Sequence, residues 1–158
     1  MRRSLATWLV LACALGGCAD GDGGAAAQPS ATPSLPVATV LLDNGEESTL
    51  VTVEVAETPE QRDRGLSGRA SLPNDEGVVF VFFENQDAAL TASDTAMPLS
   101  VAFFDGDGTI VRIVDAGPCA AACPIDPSGA SYMGALAVNR GAFDDWDISE
   151  GDHLQLTR

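Results

Sequence analysis

The sequence predicts a mainly β (α+β) domain. We expect a compact antiparallel barrel or sandwich of about eight short strands with one or two short helices. Three observations carry this reading. Short β-rich stretches recur along the chain and are separated by turn signals. Only one stretch carries a strong helix-start signature. There are no sequence repeats, no heptads and no alternation of strand and helix patterns that would build βαβ repeats.

The elements follow in order. Residues 37–43 (VATVLLD) read as a strand, and Asn44-Gly45 is a hairpin turn signal because both residues tolerate positive φ. Residues 48–56 (STLVTVEVA) alternate and form the partner strand. Thr58-Pro59-Glu60-Gln61 then places a hydroxyl at the cap, proline at the first helical position and glutamine at the third, so a short helix starts there and ends near Gly65 or Gly68. Residues 77–83 (GVVFVFF) form a continuous apolar run, the mark of a buried strand. A strand is expected over 88–92. Two more, 99–105 and 109–116, flank the turn Asp105-Gly106-Asp107-Gly108. Residues 135–139 and 153–157 complete the strands, with a helical turn or two over 142–147.

The N-terminus reads as an export signal. Arg2 and Arg3 precede an apolar run of about half the ~20 residues that a membrane-spanning helix needs. The run ends at Leu15-Gly16-Gly17-Cys18, which resembles a lipobox, the bacterial signal for lipid attachment to the cysteine thiol. We therefore expect a lipoprotein signal peptide over residues 1–18, lipidation of Cys18 and a Gly/Ala/Pro/Ser tether over 19–36, with a single globular domain over 37–158. An ordinary signal peptide is the alternative. The expected location is the outer face of the cytoplasmic membrane or another envelope membrane, reached through the lipid on Cys18. Asp20 after that cysteine resembles an inner-membrane retention signal.

Composition narrows the partners. The chain has no lysine, and processing would leave six arginines against 23 Asp and Glu, a formal charge near −17. Such a surface repels nucleic acid and anionic headgroups and favours cationic partners or a salty environment. Export also bears on Cys119 and Cys123, in the stretch PCAAACP. Thiols outside the cytoplasm pair, so a structural disulfide is expected. A redox-active pair would favour C-x-x-C at a helix start, and a zinc site needs about four ligands where the chain has one histidine, His153. No metal site and no cofactor are implied.

Other motifs read as plain structure. Asp105–Gly108 lacks the third acidic position and the distal glutamate of a calcium loop. Asp144, Asp145 and Asp147 beside Trp146 read as a solvated turn. No G-x-S-x-G is present, His153 reads as a rim side chain, and no catalytic residue is assigned.

Residues 58–82, TPEQRDRGLSGRASLPNDEGVVFVF, resemble the domain-of-unknown-function family 192. The likeness rests on Thr58, Pro59, Arg62, Gly65, Leu66, Arg69, Leu72, Gly77, Phe80 and Phe82. It continues through Thr95, Pro98-Leu99, Phe104, Asp107-Gly108, Ile110, Pro118-Cys119, Cys123-Pro124, Gly141 and Gly151-Asp152. The resemblance implies a small β-rich domain, often exported or lipid-anchored, and brings no shared activity. The chain departs from the family pattern where F-W-M-K-N-T is replaced by Leu90–Thr95, with Ser93 in place of Lys. Ser67 replaces a Met, Ala137 replaces a Glu, Val78 and Val79 replace Met-Leu, and Ile125-Asp126 stand where a Tyr is usual. If the family's Lys and Glu pair, losing both avoids an unpaired buried charge.

Three classes of function remain. The first is a non-catalytic scaffold or partner-binding module at the envelope, with a possible envelope protein as partner. The second is a small-ligand or cation binding module with a remnant pocket, its ligand unknown. The third is an enzyme. The candidate binding residues are Arg62, Arg69, Asp94 and Thr95; the two arginines could equally bind carboxylates such as Asp75 or Glu76, or helix-end carbonyls.

Overall fold

The computed structural model describes residues 34–158. The expected signal peptide, Cys18 and the tether up to residue 33 lie outside the described residues. Among them, nine strands and two short helices run in the order β1 (Val37–Asp43), β2 (Ser48–Ala56), α1 (Pro59–Arg64), β3 (Glu76–Gln86), β4 (Leu90–Thr95), β5 (Leu99–Phe104), β6 (Ile110–Ala116), β7 (Cys119–Ile125), β8 (Tyr132–Asn139), α2 (Ala142–Asp145) and β9 (His153–Thr157). Seven strands form one sheet in the order β6-β5-β8-β3-β2-β1-β9, and β4 pairs with β7 in a separate ribbon.

The large sheet curls into an incompletely closed barrel. Its two edge strands meet at one corner, where Thr109 bridges His153. There Leu154 N donates to Gly108 O at 2.7 Å, and Ile110 N donates to Asp152 O at 2.8 Å. Gly108 permits this meeting: its φ is +89°, and a Cβ there would stand 2.2 Å from Leu154 O.

The hairpins form as their turn chemistry requires. Asn44 Oδ1 accepts from Glu46 N and Glu47 N, and Gly45 takes φ +85°. Asp105 Oδ1 accepts from Asp107 N and Thr109 N across the β5–β6 turn. The Asp-Gly repeat is thus a turn closed by its own carboxylate.

Strands β1 and β2 alternate, with Val40, Leu42, Val51, Val53 and Val55 facing the barrel interior. Strands β3, β5 and β8 are apolar on both faces. Val79, Ala102, Leu136 and Val138 point into the barrel, where Phe143, Ile148 and Leu154 join them. Val78, Phe80, Leu99, Val101, Phe103, Ala135 and Ala137 point outward into a second cluster. That cluster is covered by Leu66 after α1, Leu72, Met97, and Ile125 from the ribbon. Each fully buried Val, Leu or Phe contributes roughly 1.5–3 kcal/mol, so the outer layer is as necessary as the inner one.

Three details go beyond the expected pattern. One neighbouring pair, β2 and β3, is parallel, with α1 in the crossover; every other pair is antiparallel. No strand is expected around the cysteine pair, yet Cys119–Ile125 is the strand β7. The folded part also begins before the expected boundary at 37: Leu35 is buried in the second cluster, and Pro36 O accepts from Val55 N at 2.7 Å.

Substituting Gly108→Ala combines a strained φ with a clash against backbone at the barrel corner. We expect a loss of roughly 2 kcal/mol or more in urea unfolding. An unchanged midpoint would show that the corner does not close the sheet.

Candidate functional site

Helix α1 is built as its sequence predicts. Thr58 Oγ1 accepts from Gln61 N at 3.2 Å, and Gln61 Oε1 accepts from Thr58 N at 3.0 Å and Glu57 N at 2.9 Å. Glu60 sits in the first turn, where hydrogen bonds from its own backbone N–H and from Thr58 hold its carboxyl below the usual range. The helix stops at Gly65, whose missing Cβ leaves room for the Phe80 ring; a Cβ would lie 2.8 Å from it.

Between α1, the outer face of β3, β5 and β8, and the β4–β7 ribbon lies a cavity. Arg62, Asp63, Leu66 and Ser67 form its helix side, Phe80, Leu99, Val101 and Ala137 its floor, and Leu90–Ser93, Thr95 and Ile125 its roof. The space between these walls is about 340 Å³ counting the opening, yet only about 20 Å³ of it admits the centre of a water molecule. That is room for about one water.

Several of the positions expected to depart from the family pattern converge here, while Val78, Val79, Asp94 and Asp126 do not. Ser67, Leu90, Thr91, Ala92, Ser93, Ile125 and Ala137 all line this one cavity. Ser93 and Ala137 lie about 40 residues apart in sequence and share its wall.

The four candidate residues divide. Arg62 and Thr95 line the cavity. Arg62 is occupied as a clamp: Nη1 donates to Glu57 O and, at 3.2 Å, to Val81 O, while its guanidinium carbon lies 4.7 Å from the Phe82 ring centroid. These carbonyls belong to the residue before the helix cap and to β3, not to the end of α1. Arg69 does not reach the cavity; it pairs with Glu54 at 2.6 Å, and not with Asp75 or Glu76. Asp94 stands outside, on a shallow groove beside Thr95, Pro118 and Cys119. Thr95 is buried, and its hydroxyl donates to Ser93 O over a long 3.4 Å.

Cys119 and Cys123 form a disulfide with Cα atoms 6.1 Å apart. Among the described residues no group of three or more His, Cys, Asp or Glu is arranged to hold a metal ion. Sequence reasoning missed Asp63, Leu66, Leu99 and Val101 as cavity walls, because apolar and helix-face residues carry no local sign of which space they border.

The sequence profile of DUF192, described as an uncharacterized ACR, matches residues 40–156. The chain belongs to the DUF192 family. Two solved structures share its fold. One, from Sinorhizobium meliloti 1021, is provisionally described as a transcription regulator. It is 29% identical, with a TM-score of 0.71 over 78% of this chain and 96% of that one. The other, a protein of unknown function from Novosphingobium aromaticivorans DSM 12444, is 22% identical, with a TM-score of 0.69 over 81% of this chain and 89% of that one. No curated protein matches the chain. As a DUF192 domain the protein is a β-rich member of a family without an assigned activity.

Tyr132 supports the site from below. It is buried, its hydroxyl donates to Ala88 O at 2.9 Å, and its ring meets Phe82 and Phe103 edge-on. Burial, and secondarily the Asp87 charge, push its phenol pKa above the usual value. A raised folded pKa means stability that is complete below the unfolded value near 10 and is lost as pH rises through the folded one. Thermal melts should therefore show a loss of stability at high pH. Tyr132→Phe should be about 1 kcal/mol less stable at neutral pH, having lost one hydrogen bond, and should show a smaller alkaline loss. Parallel pH profiles for the two proteins would rule the phenol out as its cause.

Proposed function

We propose that this chain is an exported lipoprotein module, anchored through Cys18, that works as a non-catalytic scaffold or partner-binding domain at the cell envelope. The observation that supports the non-catalytic part is the convergence of Ser93 and Ala137 on one cavity. These are the positions where the family pattern carries Lys and Glu. Opposite charges at these two positions would pair across the cavity, and their joint replacement puts a hydroxyl and a methyl group there. The closed cavity has room for about one water, whereas small-molecule sites run to roughly 300–1,000 Å³. That difference disfavours the ligand-binding alternative for the closed form.

The net charge supports a cationic protein partner over nucleic acid. The anchor rests on the order of apolar run, Leu15-Gly16-Gly17-Cys18 and polar linker. In its native host, the wild-type protein should pellet with membranes at high salt and carry the mass of a lipid on Cys18. Cys18→Ser should leave the lipid off. A wild-type protein found soluble and at its unmodified mass would overturn the anchor.

The charge-loss reading has its own test. Ser93→Lys and Ala137→Glu should each destabilise by several kcal/mol as unpaired charges in a confined space. Together they should recover about 1–3 kcal/mol of favourable coupling in a double-mutant cycle of melting free energies. Additive effects would argue that the two positions never held a pair.

A further inference from the structure

The β4–β7 ribbon has the construction of a flap. It makes no ladder with the seven-stranded sheet, and a two-stranded ribbon alone is marginally stable. It rests on the outer cluster through Ile125, Leu90 and Ala92. Among the polar contacts that fasten it are three: Ser67 Oγ donates to Ser93 O at 3.0 Å, Gly68 N donates to Asp94 O at 3.0 Å and, just before β4, Tyr132 Oη donates to Ala88 O at 2.9 Å. Beyond its other side lies an open cleft of about 500 Å³, bordered by Val114, Ala116 and Pro124.

Two of the three contacts leave from a single irregularity. Between the pairs Ser93–Ala122 and Thr95–Cys119, one residue of β4, Asp94, faces two of β7, Ala120 and Ala121. Asp94 is forced to φ +48°, a left-handed conformation uncommon for a residue with a side chain. The disulfide spans this bulge. Five extended residues place their end Cα atoms about 13 Å apart, whereas Cys119 and Cys123 stand at 6.1 Å. The covalent bond thus holds β7 contracted. The contraction sets the bulge, and the bulge turns the Ser93 and Asp94 carbonyls toward Ser67 and Gly68.

We propose that the Cys119–Cys123 bond is a redox latch on this flap, and that its reduction by a dithiol frees the ribbon and opens the cavity beneath it. Cys119 is buried and Cys123 is half-exposed, so the incoming thiolate attacks Cys123 Sγ. That step forms a mixed disulfide and expels Cys119 as a thiolate, which takes up a proton. The second thiol of the reductant, as its thiolate, then attacks its own sulfur in the mixed disulfide and expels Cys123, which is also protonated. The reductant leaves as a cyclic disulfide, having given two electrons and two protons. The Ala121 carbonyl, 2.9 Å from Cys119 Sγ, is placed to accept from the new thiol. Freed of the bond, β7 extends, Asp94 leaves the left-handed region and the contacts to Ser67 and Gly68 part. Neither the anchor at Cys18 nor a protein partner enters this latch.

Hydrogen exchange read by mass spectrometry, with and without dithiothreitol, tests it on the full chain. Alkylation of both thiols confirms the reduction. Peptides covering residues 88–97 and 117–126 should exchange about tenfold faster or more once reduced, while β3, β5 and β8 keep their protection. Cys119→Ser with Cys123→Ser should reproduce that pattern without reductant, and an apolar dye such as anilinonaphthalene sulfonate should gain fluorescence on the variant. Unchanged protection of the ribbon would overturn the latch. So would simultaneous loss of protection everywhere, which would make the bond a global staple.

Discussion

The fold depends on three strands that are apolar on both faces. β3, β5 and β8 lie at the centre of the sheet, and their side chains enter two separate clusters. A curled sheet covers only its concave face by itself. The convex face of these strands would expose Val78, Phe80, Leu99, Val101 and Phe103, a patch that a soluble domain does not leave open. Three parts of the chain outside the large sheet answer that need. The crossover through α1 supplies Leu66 and Leu72, the residue before the first strand but one supplies Leu35, and the ribbon supplies Ile125. The parallel pairing of β2 and β3 follows from the same demand, because only a crossover leaves chain lying across the outer face.

A cover made of three unlinked pieces meets imperfectly, and the cavity marks the place where they meet. Its walls come from the helix, the sheet and the ribbon. A charged pair in such a joint would have to outweigh the desolvation of both ions, which a close pair seldom does by much. Small and hydroxyl-bearing residues at the joint remove that cost, but they also remove the contacts that would pull the pieces together. Ser67 offsets part of this loss, since its hydroxyl donates to Ser93 O and also to Asp63 O at 3.1 Å. What remains of the fastening lies outside the cavity, in the bulge opposite the disulfide.

The parts legible in the sequence were those specified by local chemistry. Thr58-Pro59 with Gln61 gave a capping box, Asn44-Gly45 gave a hairpin, and the alternation of 48–56 matched β2 end to end. The illegible parts depend on contacts distant in sequence. β7 has no apolar alternation, and Pro124 cannot donate to a ladder, so nothing local marked it as a strand; it is tolerated because a two-stranded ribbon consists of edges. Arg69 could be seen as an anchor for a carboxylate, but its partner Glu54 sits on a strand that only the parallel pairing brings near. The candidate site was half legible. Positions such as Ser67, Ser93 and Ala137 stood out one by one, and only the folded chain shows that these three border a single space.

The arginines show where the protein's positive charge is used. Arg69 ties the segment after α1 to β2 through Glu54, Arg112 ties β6 to the loop before β9 through Glu150, and Arg140 ties the end of β8 to Asp115 of β6. Arg158 brings the C-terminus to Glu57, and Arg62 is held on backbone carbonyls. Each of these five joins segments distant in sequence or in the strand order. The pairs are partly exposed and each is worth roughly 0–1 kcal/mol, so their effect is on geometry more than on stability. These five cations are thereby committed within the domain, which leaves carboxylates in excess. A surface with such an excess of carboxylates attracts a partner carrying the opposite sign.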